Sequence, residues 1–180
     1  MLCFIVFLDP VFLSLSLSAY LLRIAQSSLL GAGLGLFVME DVAKGCKITR
    51  LDGEPLTAHQ LRNRYRISDG QPTVLLAEYQ YVFRLSVNQY IDCSSPFLSS
   101  IARFINHRPS SDSRRNCYFD NVGNVRSLRA ITSGEELFVS YGAQYTKGQK
   151  SGGQHFPPLP TPPAIVAKLN ALFSSAQSDL

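Results

Sequence analysis

The sequence is short of the residues that build metal centres and disulfide frameworks. Its four cysteines, Cys3, Cys46, Cys93 and Cys117, include no C-x-x-C pair, and its three histidines, His59, His107 and His155, lie far apart. No metal-ligand spacing results, and no disulfide framework is supported. Reduced, mostly buried thiols are the expectation, as in an intracellular protein of the nucleus or cytoplasm. Charge is scarce as well: 17% of the residues are charged, against 46% hydrophobic, and the formal net charge is +4. So mild and dispersed an excess does not indicate direct nucleic-acid binding. Arg62, Arg64 and Arg66 around a helix end, and Arg114-Arg115 in a loop, read as solvated faces. Internal repeats are absent.

Phosphate-binding signatures are missing too. Gly31-Ala32-Gly33-Leu34-Gly35 is a loop with backbone freedom, but a dinucleotide fingerprint needs a glycine at the sixth place, held here by Leu36. No Gly-Lys-Ser/Thr follows, which excludes a P-loop. Rossmann-type methyltransferase loops carry an acidic residue two places before the first glycine; Leu29 stands there.

What is present is enough for one domain with a core and some tail, at 180 residues. Residues 1–20 form an apolar N-terminal extension. Its length just meets the roughly 20 residues of a membrane span. The Asp9-Pro10 break, the alternating Ser14, Ser16 and Ser18, and the lack of a basic n-region weigh against an anchor or signal peptide. Residues 21–146 then read as short strands and turns: Leu22–Gln26, Leu36–Met39, Cys46–Leu51, Tyr79–Leu85, Tyr90–Cys93, Cys117–Phe119, Val125–Leu128 and Glu136–Tyr141. Thr57-Ala58-His59-Gln60 has the form of a capping box and predicts a helix over Ala58–Tyr65. Ser99–Ile105 predicts a helical turn, and Arg108–Arg115 an exposed loop. The fold class is therefore mostly β, with a few short helices. Residues 147–163 are a linker, rich first in glycine and then in proline, five of the ten prolines lying between Pro157 and Pro163. Residues 164–180 are a C-terminal tail with apolar residues at helical spacing.

Two stretches carry the polar chemistry. Arg103-Phe104-Ile105-Asn106-His107 sets an Asn-His pair and an arginine beside apolar residues, where buried polar groups need partners. Glu135-Glu136-Leu137-Phe138-Val139-Ser140-Tyr141-Gly142 is the candidate partner segment. Taken singly, Asn106 could cap a turn, His107 could be a satisfied structural histidine, Tyr141 could end a strand, and Glu136 reads as structural, tied to a turn or to Arg129.

Taken in order, the Gly31–Phe37 loop, Tyr90-Ile91-Asp92, Arg103–His107, Asn116-Cys117 and Leu128–Gly142 resemble the SET domain of protein lysine methyltransferases. The resemblance covers residues 21–146. It implies a SET fold of several small twisted sheets with pseudoknot-like C-terminal threading, so that the two motifs touch. It also implies an S-adenosyl-L-methionine-dependent enzyme, with cofactor and target lysine entering from opposite faces. Gly33, Leu34 and Gly35 would place backbone against the cofactor's methionine end; Arg103, Phe104, Asn106 and His107 would line its pocket, the last two bonding its amino and adenine groups. Tyr141 would be the catalytic tyrosine, also touching the cofactor, and Tyr90, Phe119 and Val139 would line the substrate channel. No metal is implied. The partner implied is a protein bearing the target lysine, a histone tail or a non-histone protein.

The chemistry fits that division of labour. A free lysine amine has a pKa near 10.4, so neutralising it at pH 7 costs about 4.6 kcal/mol. A dry aromatic channel beside a cationic sulfonium lowers that cost by desolvation and like-charge repulsion. Transfer by in-line displacement needs alignment more than acid-base power, and carbonyl oxygens with the Tyr141 hydroxyl can hold a polarised methyl. Neither Phe119 nor Val139 has a hydroxyl, which predicts a roomy pocket tolerating di- or trimethylation. The sequence departs from the family at Arg108-Pro109 and Arg115-Asn116, where relatives have Ser-Cys and Pro-Asn. No cysteine follows Cys117, so the zinc-binding cluster that closes the channel in many relatives is absent; Tyr145, Phe156 or the Ala164–Phe173 segment must serve. The alternative is a SET-like module that binds protein without turnover.

Overall fold

The computed structural model describes residues 20–65, 81–86, 88–95, 98–142, 166, 167 and 170. The N-terminal extension, the Gly/Pro-rich linker, most of the tail, Tyr145 and Phe156 lie outside the described residues. The described residues form four small sheets rather than one large one. Strands β1 (Leu22–Gln26) and β2 (Leu34–Val38) form an antiparallel hairpin; β3 (Lys47–Arg50), β8 (Cys117–Phe119) and β9 (Asn124–Ser127) form a second sheet, with β9 central. The third contains β4 (Glu54–Leu56), β5 (Val82–Ser86) and β6 (Gln89–Asp92), with β6 central. The fourth pairs β7 (Asn106–His107) with β10 (Phe138–Val139) in parallel.

Local sequence explains most of these elements. In β1, buried Leu22 and Ile24 alternate with exposed Arg23, the period of a strand with one face on a core. The capping box forms as its sequence requires: Thr57 Oγ1 accepts from Gln60 N at 3.2 Å, and Gln60 Oε1 accepts from Thr57 N at 2.8 Å. They open helix α1 (Ala58–Tyr65), which buries Leu61. The helix is tied to the third sheet by Arg64, which ion-pairs with Glu54 and with buried Asp92, and by the Tyr65 hydroxyl, 2.6 Å from Asp92. The helical turn expected over Ser99–Ile105 is a 3-10 turn at Ile101–Phe104, fully buried.

A core of Leu36, Val38, Ile48, Leu51, Ile105, Leu137 and Val139 joins the sheets. Cys93 and Cys117 are part of it, and burial pushes both thiols up to about 12. Among the described residues, Cys46, Cys93 and Cys117 are free thiols. Val166 packs against this core, and the Asn170 side chain brackets Ile24, donating to its carbonyl and accepting from its N–H, both at 3.1 Å.

The expected Glu136–Tyr141 strand is shortened to Phe138–Val139. Buried Asn116 is the reason: its Nδ2 donates to Glu136 O and its Oδ1 accepts from Phe138 N, both at 2.8 Å. A side chain thus takes positions that a neighbouring strand's backbone would otherwise fill. Segment 136–141 is held between Asn116 on one side and β7 on the other.

Candidate functional site

The parallel pairing of β7 with β10 is the centre of the site. It sets Asn106 opposite Phe138 and His107 opposite Val139, and Arg108 N continues it by donating to Val139 O at 2.8 Å. Because the 3-10 turn delivers β7 from inside the core, both polar residues emerge half-buried at the end of an apolar segment.

Tyr141 meets this segment twice. Its backbone N–H donates to His107 Nδ1 at 3.0 Å, and its hydroxyl donates to the carbonyl of Ile105. An Nδ1 that accepts a hydrogen bond carries no proton, so His107 is neutral here. Burial, and then the nearby Arg108 charge, hold its pKa below the ordinary histidine value. Around Tyr141 the rings pack edge to face: Phe83 lies 5.5 Å from Tyr141 and 5.4 Å from Phe119, centroid to centroid.

Asn106 is fixed on its other side. Its amide lies 2.9 Å from Leu34 O, 3.0 Å from Glu136 Oε1 and 3.1 Å from Ser27 Oγ. A carbonyl and a carboxylate can only accept, so the group facing them is the NH2, and Oδ1 must point the other way. Glu136 is 6% exposed. Its Oε1 also accepts from Ser27 Oγ at 2.6 Å, and its Oε2 from Ser28 N and Oγ, both at 2.7 Å. Of the two ties read for Glu136, the one to a turn holds, at the β1–β2 loop, and the one to Arg129 is corrected. Glu135 is the partner of Arg129, at 2.7 Å, while Glu136 is turned inward to the β1–β2 loop.

The glycine loop serves this arrangement. Gly33 adopts φ +70°, and its carbonyl accepts from Ser27 N at 2.8 Å, closing the loop. A Cβ on Gly35 would lie 2.7 Å from the Glu136 carboxyl carbon and overlap Oε1. The missing side chain at Gly35 makes room for Glu136.

The structure places three further expected site residues. Tyr90 stands opposite Arg84 and Leu56, whereas Phe83 stands opposite Ile91. Successive side chains on a strand point to opposite faces, so Phe83, and not Tyr90, shares the face that reaches Tyr141. Val139 is fully buried at 0% exposure and part of the core. Arg103 is buried with Phe104. Its guanidinium sits 4.4 Å over the Tyr81 ring and 5.3 Å from that of Phe104, and its Nη2 donates to Ser94 O at 3.2 Å. None of those partners is shared with Asn106 or His107. Its Nε and Nη1 find no acceptor among the described residues.

The loop after His107 is ordered by Asp112, not simply exposed. This carboxylate pairs with Arg108 at 3.1 Å and with Arg114 at 3.0 Å, and the Arg114 side chain and N–H hold its pKa down at about 2. Ser110 Oγ meets Ser140 Oγ at 3.1 Å, fastening the loop to the segment before Tyr141.

A family model, SET domain, matches residues 33–142. The chain belongs to the SET-domain family. Its matched region holds every element of the site except β1 and the Ser27-Ser28 pair. Similar solved structures agree on the SET fold. The crystal structure of the Chaetomium thermophilum polycomb repressive complex 2 is 24% identical with TM-score 0.52, covering 69% of this chain and 16% of that one. A structure of the same complex with H3K27me3 and H3K27M has the same identity and TM-score, with 15% of that chain covered. The SET-domain chain thus spans less than a fifth of the length of these neighbours. No curated protein matches it.

Two parts of the sequence reading missed the site's residues. Phe83 carried a signal, since Tyr81, Phe83 and Leu85 alternate within one β-prone run. Glu136 carried a weaker one, a carboxylate directly before the apolar Leu137-Phe138-Val139, which places its side chain at the edge of the core.

Proposed function

We propose that this SET domain is an S-adenosyl-L-methionine-dependent protein lysine N-methyltransferase acting on a histone tail in the nucleus. One observation carries the reading: β7–β10 pairing gathers an outward-facing Asn106 Oδ1, a neutral His107 and a Tyr141 hydroxyl fixed on a backbone carbonyl. The residues suit a zwitterionic cofactor. Asn106 Oδ1, which accepts no hydrogen bond among the described residues, is an acceptor for an ammonium group. S-adenosylmethionine, when bound, supplies an electrophilic methyl group on a sulfonium.

The protein's own groups do the rest. Asn106 and the backbone of Gly33 and Leu34 would hold the amino-acid end, with His107 at the adenine side. Phe83, Phe119 and Tyr141 would form the apolar wall that excludes water from the target amine, so that lysine enters neutral. The Tyr141 hydroxyl is committed as a donor to Ile105 O. With that proton already placed, a fixed oxygen aligns the reacting carbon at no reorganisation cost. A histone substrate is supported by the fold shared with the polycomb repressive complex 2 structures.

The rival reading, a non-catalytic binding module, is favoured by the altered Arg108–Arg115 loop. Calorimetric titration with S-adenosylmethionine separates the two. The wild-type chain is expected to bind, and Asn106→Ala to weaken binding at least about tenfold, or 1.4 kcal/mol. Absence of binding by the wild type leaves only the module.

A further inference from the structure

We infer that Glu136 is a positioning residue: it fixes the Asn106 amide so that Oδ1 faces the cofactor's ammonium, and it supplies the buried negative charge behind that amide. The inference rests on the cofactor reading above. Four donors converge on the two Glu136 oxygens, from Ser27 Oγ, Ser28 N, Ser28 Oγ and Asn106 Nδ2, at 2.6–3.0 Å. That matches the acceptor capacity of an ionised carboxylate. All four donors are neutral, and among the described residues no arginine, lysine or histidine forms a salt bridge with Glu136. A buried charge normally has a counter-charge. Asp92, the other buried carboxylate among the described residues, has one in Arg64. Glu136 instead faces, through one amide, the side on which a cationic ligand group would sit.

The amide transmits orientation as well as charge. An asparagine side chain presents a donor at one end and an acceptor at the other. Holding Nδ2 with Glu136, Leu34 O and Ser27 Oγ leaves only the acceptor for the ligand. If the carboxylate becomes an amide, its NH2 competes with the four donors. The Asn106 group then loses its strongest acceptor and is free to turn its NH2 toward the ammonium, donor against donor. Gly35 belongs to the same device, since any side chain there would displace the carboxylate.

The test is Glu136→Gln, read by affinity and not by turnover. Kd is measured by calorimetry for S-adenosylmethionine, and by competition at millimolar concentration for 5′-methylthioadenosine, which lacks the amino-acid end. The expected result is at least a tenfold loss for S-adenosylmethionine with less than a threefold change for 5′-methylthioadenosine. In the Asn106→Ala background the same substitution should add almost nothing, the non-additivity expected of residues acting through one another. If Glu136→Gln fails to fold, Ser27→Ala removes one donor to Glu136 and one acceptor of Asn106, and should show the same selectivity at smaller size. Equal losses for both ligands, or no loss for either, overturn the positioning role. Wild-type chain that binds neither ligand overturns the cofactor reading itself.

Discussion

The backbone N–H of Tyr141 donates to Nδ1 of His107 at 3.0 Å, so the imidazole that ends one motif fixes the backbone of the residue that ends the other. This bond exists only while Nδ1 is unprotonated. It makes the site's geometry dependent on the charge of one histidine.

The pH dependence follows. Burial, then Arg108, lowers the folded-state pKa of His107 below its unfolded value near 6.5. The unfolded chain therefore binds this proton more readily, and the stability His107 contributes is complete above about pH 6.5 and lost as pH falls below it. Urea unfolding midpoints between pH 5 and 8 should drop on the acid side for wild type and stay flatter for His107→Gln. Identical slopes for the two proteins would show that His107 titrates as if unfolded.

Gly35→Ala should destabilise the fold by about 1–3 kcal/mol, the range for overpacking a filled site. The new Cβ must displace the Glu136 carboxylate or the β2 backbone. Chemical denaturation measures this directly. An unchanged midpoint would mean that Glu136 moves aside freely and is not fixed by its four donors.

Asn116→Ala should cost about 2–4 kcal/mol. Two buried backbone groups, Glu136 O and Phe138 N, lose their partner, and each unsatisfied group costs about 1–3 kcal/mol. The same denaturation experiment checks it, and Asn116→Asp should recover only the bond from Phe138 N.

How much of this was legible in the sequence varies with the kind of information each residue needs. The capping box at Thr57 and Gln60 and the alternation in β1 depend on neighbours in the chain, and both formed as read. The two polar motifs were legible as a pair because each left hydrogen-bonding groups in apolar surroundings. Register was not legible. Tyr90 and Phe83 are equally β-prone aromatics, and only the pairing of β5 with β6 turns Phe83 toward Tyr141 and Tyr90 to the other face. Nor could composition tell Glu135 from Glu136. Adjacent carboxylates on an extended segment point opposite ways, one out to Arg129 and one in to Ser27, Ser28 and Asn106. Asn116 was visible only as a neighbour of Cys117, because its partners lie twenty residues and more away.

The ring cluster gives a prediction on product. Phe83 and Phe119 present no hydroxyl to restrain an amine or hold a water, and the pocket should admit di- or trimethylation. Phe119→Tyr should shift the product ratio toward monomethyl-lysine by on the order of tenfold, as expected where a hydroxyl is added to a site that reads substrate shape. Mass spectrometry of a methylated peptide reads the ratio. Strict monomethylation by the wild type would rule out the roomy pocket.

The central claim is methyl transfer by this SET domain, and its most direct measurement is radiolabelled transfer from S-adenosylmethionine onto a core-histone mixture and a lysine-peptide array. Wild-type chain should label a lysine-containing target. Tyr141→Phe, which removes the hydroxyl held by Ile105 O, should cut the rate on the order of a hundredfold while leaving cofactor affinity within about threefold, well short of the 1.4 kcal/mol of a tenfold change. Cofactor binding with no label on any target, or equal labelling by wild type and Tyr141→Phe, would contradict the account.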